Sequence, residues 1–521
     1  MSWISIKCPL AIILVITITL SAEIVAGKDY FLTIGGGYEP AGNQASLEAN
    51  VIFYQVVIGQ NDSMNVDHQI YFADGTDPDD DLQVIAPHAN AGSPAIELLE
   101  GIFSSNDKQV TYRNHQVPHV TNEIRPAAIR SGLESIASRV SSGDRLIIYV
   151  TAHGGSAKGN DAMNTSITCW GKETIKMREF SAWLDGVPSD VPVVMVMAQC
   201  YCGGFAHSMF TGGNPDNGLS KAIRVGFFAQ RNDLPAAGCR PDIENDEEYS
   251  SYFWGAFVGR SRTGKPTGLV DNDQNGRVSF AEAHAYAVTA SQTIDIPRRT
   301  SDTFLQTYSR IPGYEKNIVP DPAAEIDDAD HELGWARFSG SLENLLSTAS
   351  LDQGAIIVAL SKQLDLSLDT DVAEVFNQRQ IQEERFRQAR RLTSQRGGSN
   401  RRGSRSSGRR DLQLQIINNW PELEEADDWD DLAWLEGPKV QGFLAELRNL
   451  PAFDTYWTSY TERSRARERS TYAELRAVQF RRLIHTMESV LLAKNLPLIA
   501  SPEILKRYSE MIALESSFLG S

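Results

Sequence analysis

Two apolar runs of this chain end in residues that can move a proton or attack a carbon. "DRLIIYVTAHGG" delivers His153 and Gly154, and "VPVVMVMAQCYCGGF" runs into Cys200 and Cys202 ahead of paired glycines. A cysteine facing a histidine is a nucleophile with its base, because imidazole takes the thiol proton and leaves a reactive thiolate near neutral pH. The same cysteines also admit half of a disulfide, a metal pair, or two buried thiols without chemistry. A Cys-x-Cys metal site needs further ligands; no second pair at zinc-site spacing occurs, and His207 alone does not supply one.

The elements around these residues must bring them together. "YFLTIGGG" reads as a strand closed by a tight glycine turn, and "SLEANVIFYQVVIG" as a helix capped by Ser46 with Glu48 in its first turn. Then follow a strand at "QIYFADG" and an amphipathic helix with Ile129, Leu133, Ile136 and Val140 on one side. After the His153 strand come a helix at "MREFSAWLDG", the Cys200 strand and a further strand at "AIRVGFFAQ". Strands apolar on both faces, alternating with helices, predict a mostly parallel sheet covered by helices. Ligands sit outside the carboxyl ends of such strands, so His153 and Cys200 face each other if their strands are neighbours. Gly154, without a side chain, lets a substrate carbonyl approach its N–H, which with the N–H of Cys200 forms an oxyanion hole. Gly203 and Gly204 permit a sharp turn after the thiol.

An apolar strand ending in His-Gly, then a second ending in Cys-x-(small)-Gly about fifty residues later, resembles the caspase and legumain group of cysteine peptidases. The resemblance covers residues 31 to about 290. It implies a caspase-like α/β/α sandwich with Cys200 as nucleophile, His153 as base and Cys202 at the small position. Beyond it the helical stripes Val440, Phe443, Leu444, Leu447 and Phe480, Leu483, Ile484, Met487, Leu491 predict an α-helical C-terminal region. It implies a cysteine-type endopeptidase, a hydrolase whose partner is a protein or peptide substrate. Where the group carries an acidic residue or glutamine two positions before the nucleophile, this chain has Ala198, with Gln199 next to Cys200. The resemblance also leaves room for transamidation or ligation by the same dyad, for an idle caspase-like interaction protein, and for a C-terminal helical segment that restrains the enzyme.

A second motif speaks for calcium. "DNDQNGRVSFAE" sets Asp271, Asp273, Asn275, Gly276, Arg277, Ser279 and Glu282 at positions 1, 3, 5, 6, 7, 9 and 12 of an EF-hand loop. Carboxylates, Asn275 and Ser279 offer oxygens, Arg277 its carbonyl, and Glu282 both carboxylate oxygens. Only the exiting helix is present, since "RTGKPTGLV" is too rich in breakers to enter as one. The expected role of Ca2+ is structural; the alternative is an acidic turn capping a helix.

Residues 1–27, with Lys7, the run "LAIILVITITLSA" and small residues after it, read as a signal peptide, so the chain is expected to be secreted or periplasmic. No stable membrane span is expected after its removal. In that compartment Cys202 could pair with Cys169 or Cys239. A formal charge of −18 excludes nucleic acid as the default partner; the oligomeric state is not legible. The expected divisions are residues 28–315 as the peptidase domain with the calcium loop at 271–282, then 316–392 as a helical region. Residues 393–410 read as an Arg/Ser/Gly-rich disordered linker and 411–521 as a further helical region. His88, His115 and His119 lie in polar sequence and are expected to be exposed, while the aromatics of "YSSYFWGAF" are expected in the core.

Overall fold

The computed structural model describes residues 27–59, 66–85, 94–103, 110–237, 248–268, 270–315, 320, 334–395, 402–425, 432–435 and 439–520. The signal-peptide reading, His88 and Cys239 lie outside them.

The first part of the chain alternates strands and helices. In order these are β1 (Asp29–Gly36), α1 (Ala45–Gly59), β2 (Asp67–Phe72), β3 (Leu82–Ile85), α2 (Pro94–Phe103), β4 (Val110–Arg113), α3 (Pro126–Ala137) and β5 (Arg145–Gly155). There follow β6 (Ser166–Thr168), β7 (Thr174–Lys176), α4 (Met177–Leu184), β8 (Val193–Met197), β9 (Arg224–Phe228), α5 (Tyr249–Val258), α6 (Phe280–Ala290), β10 (Arg298–Arg299) and α7 (Thr300–Tyr308). The main sheet has the order β10-β9-β8-β5-β1-β2, with β6 and β7 as an annex on β5 and a separate β3–β4 hairpin. β2, β1, β5, β8 and β9 run parallel and β10 antiparallel.

The sheet is parallel because its strands are apolar on both faces: β1, β8 and β9 have every residue buried. The path steps from β1 outward to β2, then back across to β5, β8 and β9. Right-handed crossovers therefore put α1 on one face and α3 and α4 on the other. The reversal lies between β1 and β5, where an open α/β sheet forms its ligand crevice.

The rest is helical: α8 (Leu342–Leu346), α9 (Leu351–Gln363), α10 (Val372–Gln395), α11 (Arg402–Asn419), α12 (Glu422–Glu425), α13 (Lys439–Arg448), α14 (Phe453–Ile499) and α15 (Pro502–Glu515). The second half of α14 buries Phe480, Leu483, Met487 and Val490 in the same core as the sheet. Between Tyr456 and Ala473 no residue of α14 is buried, so this stretch bridges two cores through solvent.

Three expectations are corrected. Residues 402–410, read as linker, are helical in α11, whose Leu412 and Ile416 are fully buried; a helix anchored there adds one hydrogen bond for each residue by which it extends back. The boundary at 315 does not separate the packing units: Ala95, Ile96, Leu99 and Ile102 of α2 share a second core with α11, α13 and the start of α14. Ser46 is not a cap, because α1 already begins at Ala45. Among the described residues no helix is long and apolar enough to cross a membrane.

Candidate active site

β5 and β8 are neighbours in parallel register, with Val150 opposite Met197 as the last pair. His153 lies three residues beyond the one and Cys200 three residues beyond the other, so both leave the carboxyl edge of the sheet at the same level. That edge is next to the switch point, and Gly42 and Gln44, just past β1, reach it.

His153 Nε2 is 2.8 Å from the Gly42 carbonyl oxygen and 3.0 Å from Gln44 Oε1. A carbonyl only accepts, so Nε2 carries the hydrogen; in the neutral ring Nδ1 then holds the lone pair that can take a proton. Tyr38 packs edge-on against the imidazole, with ring centroids 5.3 Å apart. Gln44 is 5% exposed, and no sequence motif pointed to it.

Cys200 is 4% exposed. Its Sγ accepts from the Ala236 N–H at 3.1 Å and lies 3.9 Å from the Ala236 carbonyl, and no hydrogen bond joins it to His153. The two side chains thus leave the sheet at the same level but have different partners, and the Ala236 peptide, in the loop of residues 231–237, packs on the thiol.

The glycines also allow close backbone packing here. A Cβ on Gly154 would lie 2.0 Å from the Cys200 carbonyl oxygen and 2.9 Å from Gln199 Cγ, so Gly154 is needed for close approach of the Cys200 backbone. The sharp turn after the thiol is made by Tyr201, at φ 60°. A Cβ on Gly203 would meet the Gln230 carbonyl, and one on Gly204 would meet Thr165 Oγ1. Cys202 faces Gln230, accepting from its N–H at 3.2 Å. Cys169, Cys200 and Cys202 are buried and in no disulfide, so the Cys202–Cys169 pairing is not formed. Burial pushes the Cys169 thiol up to about 12.

Beneath β5, Thr151 accepts from Asn50 Nδ2 at 3.0 Å, and the same amide donates to Glu248. Burial raises Glu248 to about 7. Gln199, wholly buried beside the thiol, has no protein partner for either amide atom among the described residues.

The EF-hand-like loop is folded with its carboxylates gathered: ligand atoms of Asp271, Asp273 and Glu282 lie within 4.8 Å of one another. Asp271 accepts from Asn275 N and Gly276 N, and Asp273 accepts from Asn275 N. Gly276 makes the turn at φ 83°. The Ser279 hydroxyl and Glu282 also form the capping box of α6. The Arg277 guanidinium stacks over Phe518, at 4.0 Å.

A second cluster went unnoticed in the sequence. Asp74, Asp81 and His115 place ligand atoms within 4.8 Å of one another, and burial, helped by Asp81 and Asp77, raises Asp74 to about 7. His115 is half-buried rather than exposed, whereas His119 is exposed. "DPDDD" gave the acidic signal, but nothing local tied it to a histidine more than thirty residues away.

No family model and no curated protein matches the chain. It is similar to the solved structure of the protein GSU0716 from Geobacter sulfurreducens. The two share 10% identity over 52% of this chain and 92% of that one, at a TM-score of 0.31, too slight a likeness to carry an argument.

Proposed function

We propose that this chain is an extracytoplasmic cysteine endopeptidase with a caspase-like domain. The observation that carries the reading is the common register of His153 and Cys200 at the carboxyl edge of two adjacent strands, with His153 held by Gly42 and Gln44 in the tautomer a base needs.

In the proposed reaction, residues 231–237 shift to uncover Cys200, and His153 Nδ1 takes the thiol proton. The thiolate bonds to the scissile carbonyl carbon, and the N–H groups of Gly154 and Cys200 steady the oxyanion. The C–N bond breaks as the imidazolium gives its proton to the leaving amine. Water then hydrolyses the thioester, releasing the acid and restoring the thiol; an amine in place of water would give transamidation.

Asp271, Asp273 and Glu282, with Asn275 and the Arg277 carbonyl, are proposed to hold a structural Ca2+. The hard oxygen donors suit that ion, and its place is at the start of α6, remote in sequence from the thiol.

A second reading has its own observation. A thiol that is 4% exposed and bonded to the Ala236 peptide is consistent with an idle caspase-like fold that acts as an interaction protein.

The test uses the mature chain with P1 Asn, Asp, Arg and Lys peptides, with calcium or chelator, against Cys200→Ala. Cleavage lost in the variant supports the peptidase; no cleavage under any condition favours the idle fold.

A further inference from the structure

Arg482 lies on α14, far along the chain from the candidate site, and is 1% exposed. Its partners are main-chain carbonyls. Nε donates to Asp295 O at 2.8 Å, Nη1 to Val288 O at 2.9 Å and Ser291 O at 2.8 Å, and Nη2 to Thr293 O at 2.9 Å. Val288 belongs to the last turn of α6 and Ser291 follows it, so the cation caps the negative end of that helix. Removing a guanidinium from water costs several kcal/mol, offset only when its donors are well satisfied. Burial pulls its pKa down to about 10. Here the fan of donors fastens residues 288–295 to α14.

The fastened segment reaches the thiol. Asp295 is 1% exposed; its Oδ1 accepts the Ala237 N–H at 2.8 Å, and its Oδ2 accepts from Thr293 Oγ1 at 2.8 Å. Gln230 stitches the two loops a second time, donating to Pro235 O at 3.1 Å and accepting from Ile296 N at 3.2 Å. One residue before Ala237, the Ala236 N–H points at Cys200 Sγ.

We infer that Arg482 is a positioning residue for Cys200, acting through Asp295 to hold the Ala236 N–H on the sulfur. The helical third is then a brace of the candidate site, and its removal disturbs the thiol rather than simply uncovering it. The functional weight of this inference rests on Cys200 being the nucleophile, but the hydrogen bond to sulfur is measurable whether or not the protein cleaves peptides.

An N–H aimed at sulfur favours the thiolate, so losing it raises the pH at which Cys200 ionises. Among the described residues, the other titratable groups on the elements around the thiol include Tyr201 and Cys202 just after it, His153 on β5, the Arg231–Asp233 pair on the covering loop, and Asp295. The experiment is the pH profile of Cys200 alkylation by iodoacetamide in the full chain, followed by peptide mass. The midpoint is the readout rather than the rate, because a loosened loop also opens the thiol. The variants are Arg482→Lys and Asp295→Ala. Arg476→Ala is the control, since Arg476 on the same helix bonds Gln363 O, Leu364 O and Asp365.

Arg482→Lys and Asp295→Ala are expected to raise the midpoint by about one unit, a tenfold loss of thiolate below it. The double variant should go no further than the larger single effect, because both act on one chain of contacts. Arg476→Ala should lower the thermal midpoint without moving the thiol profile. Folded Arg482→Lys and Asp295→Ala proteins with the wild-type midpoint would overturn the inference and leave Arg482 purely structural. Should Arg482→Lys fail to fold, Asp295→Ala alone decides.

Discussion

His153 and Cys200 stand the same three residues beyond the paired residues Val150 and Met197, on neighbouring parallel strands. Equal overhang on equal register brings two residues 47 positions apart to one edge of the sheet. Cys200 nonetheless bonds to Ala236, and His153 to Gly42 and Gln44. In the proposed mechanism the Ala236 contact is released while Gly42 and Gln44, just past β1, keep hold of the histidine.

Gln44 should matter to the rate more than to the fold. Gln44→Leu leaves the Gly42 carbonyl on Nε2 but removes the second acceptor, which counts most when the ring becomes charged. The expected result is a fall of about tenfold in kcat/KM, equivalent to about 1.4 kcal/mol. Peptide cleavage kinetics check it; an unchanged kcat/KM would show that Gly42 alone suffices.

Gly154→Ala introduces a Cβ 2.0 Å from the Cys200 carbonyl oxygen, with Gln199 Cγ closing the other side. Both neighbours are buried at the strand end, so relief must come from the Cys200 backbone itself. A loss of about 1–3 kcal/mol is expected from overpacking, together with altered alkylation of Cys200 but not of Cys169. Denaturant unfolding and peptide mapping read the two effects separately.

The order His153 then Cys200, the alternation of strands and helices, and the aromatic core around Trp254 were legible because each is written locally, in periodicity or in a strand end. The position of Gln44 was not: it depends on β1 lying beside β5, which only the sheet order supplies. α2 looked like part of the first domain because sequence neighbours usually pack together, yet its apolar face is covered by helices some three hundred residues later. The turn at Tyr201 was missed for a related reason. Glycines nearby offered an easier left-handed residue, but Gln230 and Thr165 occupy the space on which those glycines are closed.

Glu248 makes stability fall as pH rises. Burial lifts its carboxyl from 4.5 to about 7 in the folded chain, so the folded state holds the proton more tightly than the unfolded one. Its contribution is complete below pH 4.5 and is lost as pH rises through about 7. The shift of about 2.5 units corresponds to about 3 kcal/mol over that window. Glu248→Gln should flatten this part of the profile, while Asn50 can still donate to the remaining carbonyl oxygen. Urea unfolding at pH 5 and pH 8 tests it; an equal pH slope in the variant would assign the effect to another group.

The calcium loop and the α6 cap share Glu282, and two substitutions separate them. Ser279→Ala removes the hydroxyl that caps α6 but leaves Asp271, Asp273 and Glu282 in place, so about 1 kcal/mol should be lost with the calcium response kept. Glu282→Gln disturbs the same cap and also deletes the charge that would bind the ion through both oxygens. If calcium binds, saturation at one hundred times its dissociation constant stabilises the wild type and Ser279→Ala by about 2.7 kcal/mol. Glu282→Gln should then show little or no rise. Thermal midpoints with calcium or chelator distinguish the cases: equal calcium-induced shifts in both variants would place the ion elsewhere, and no shift in the wild type would leave the loop as an acidic cap on α6.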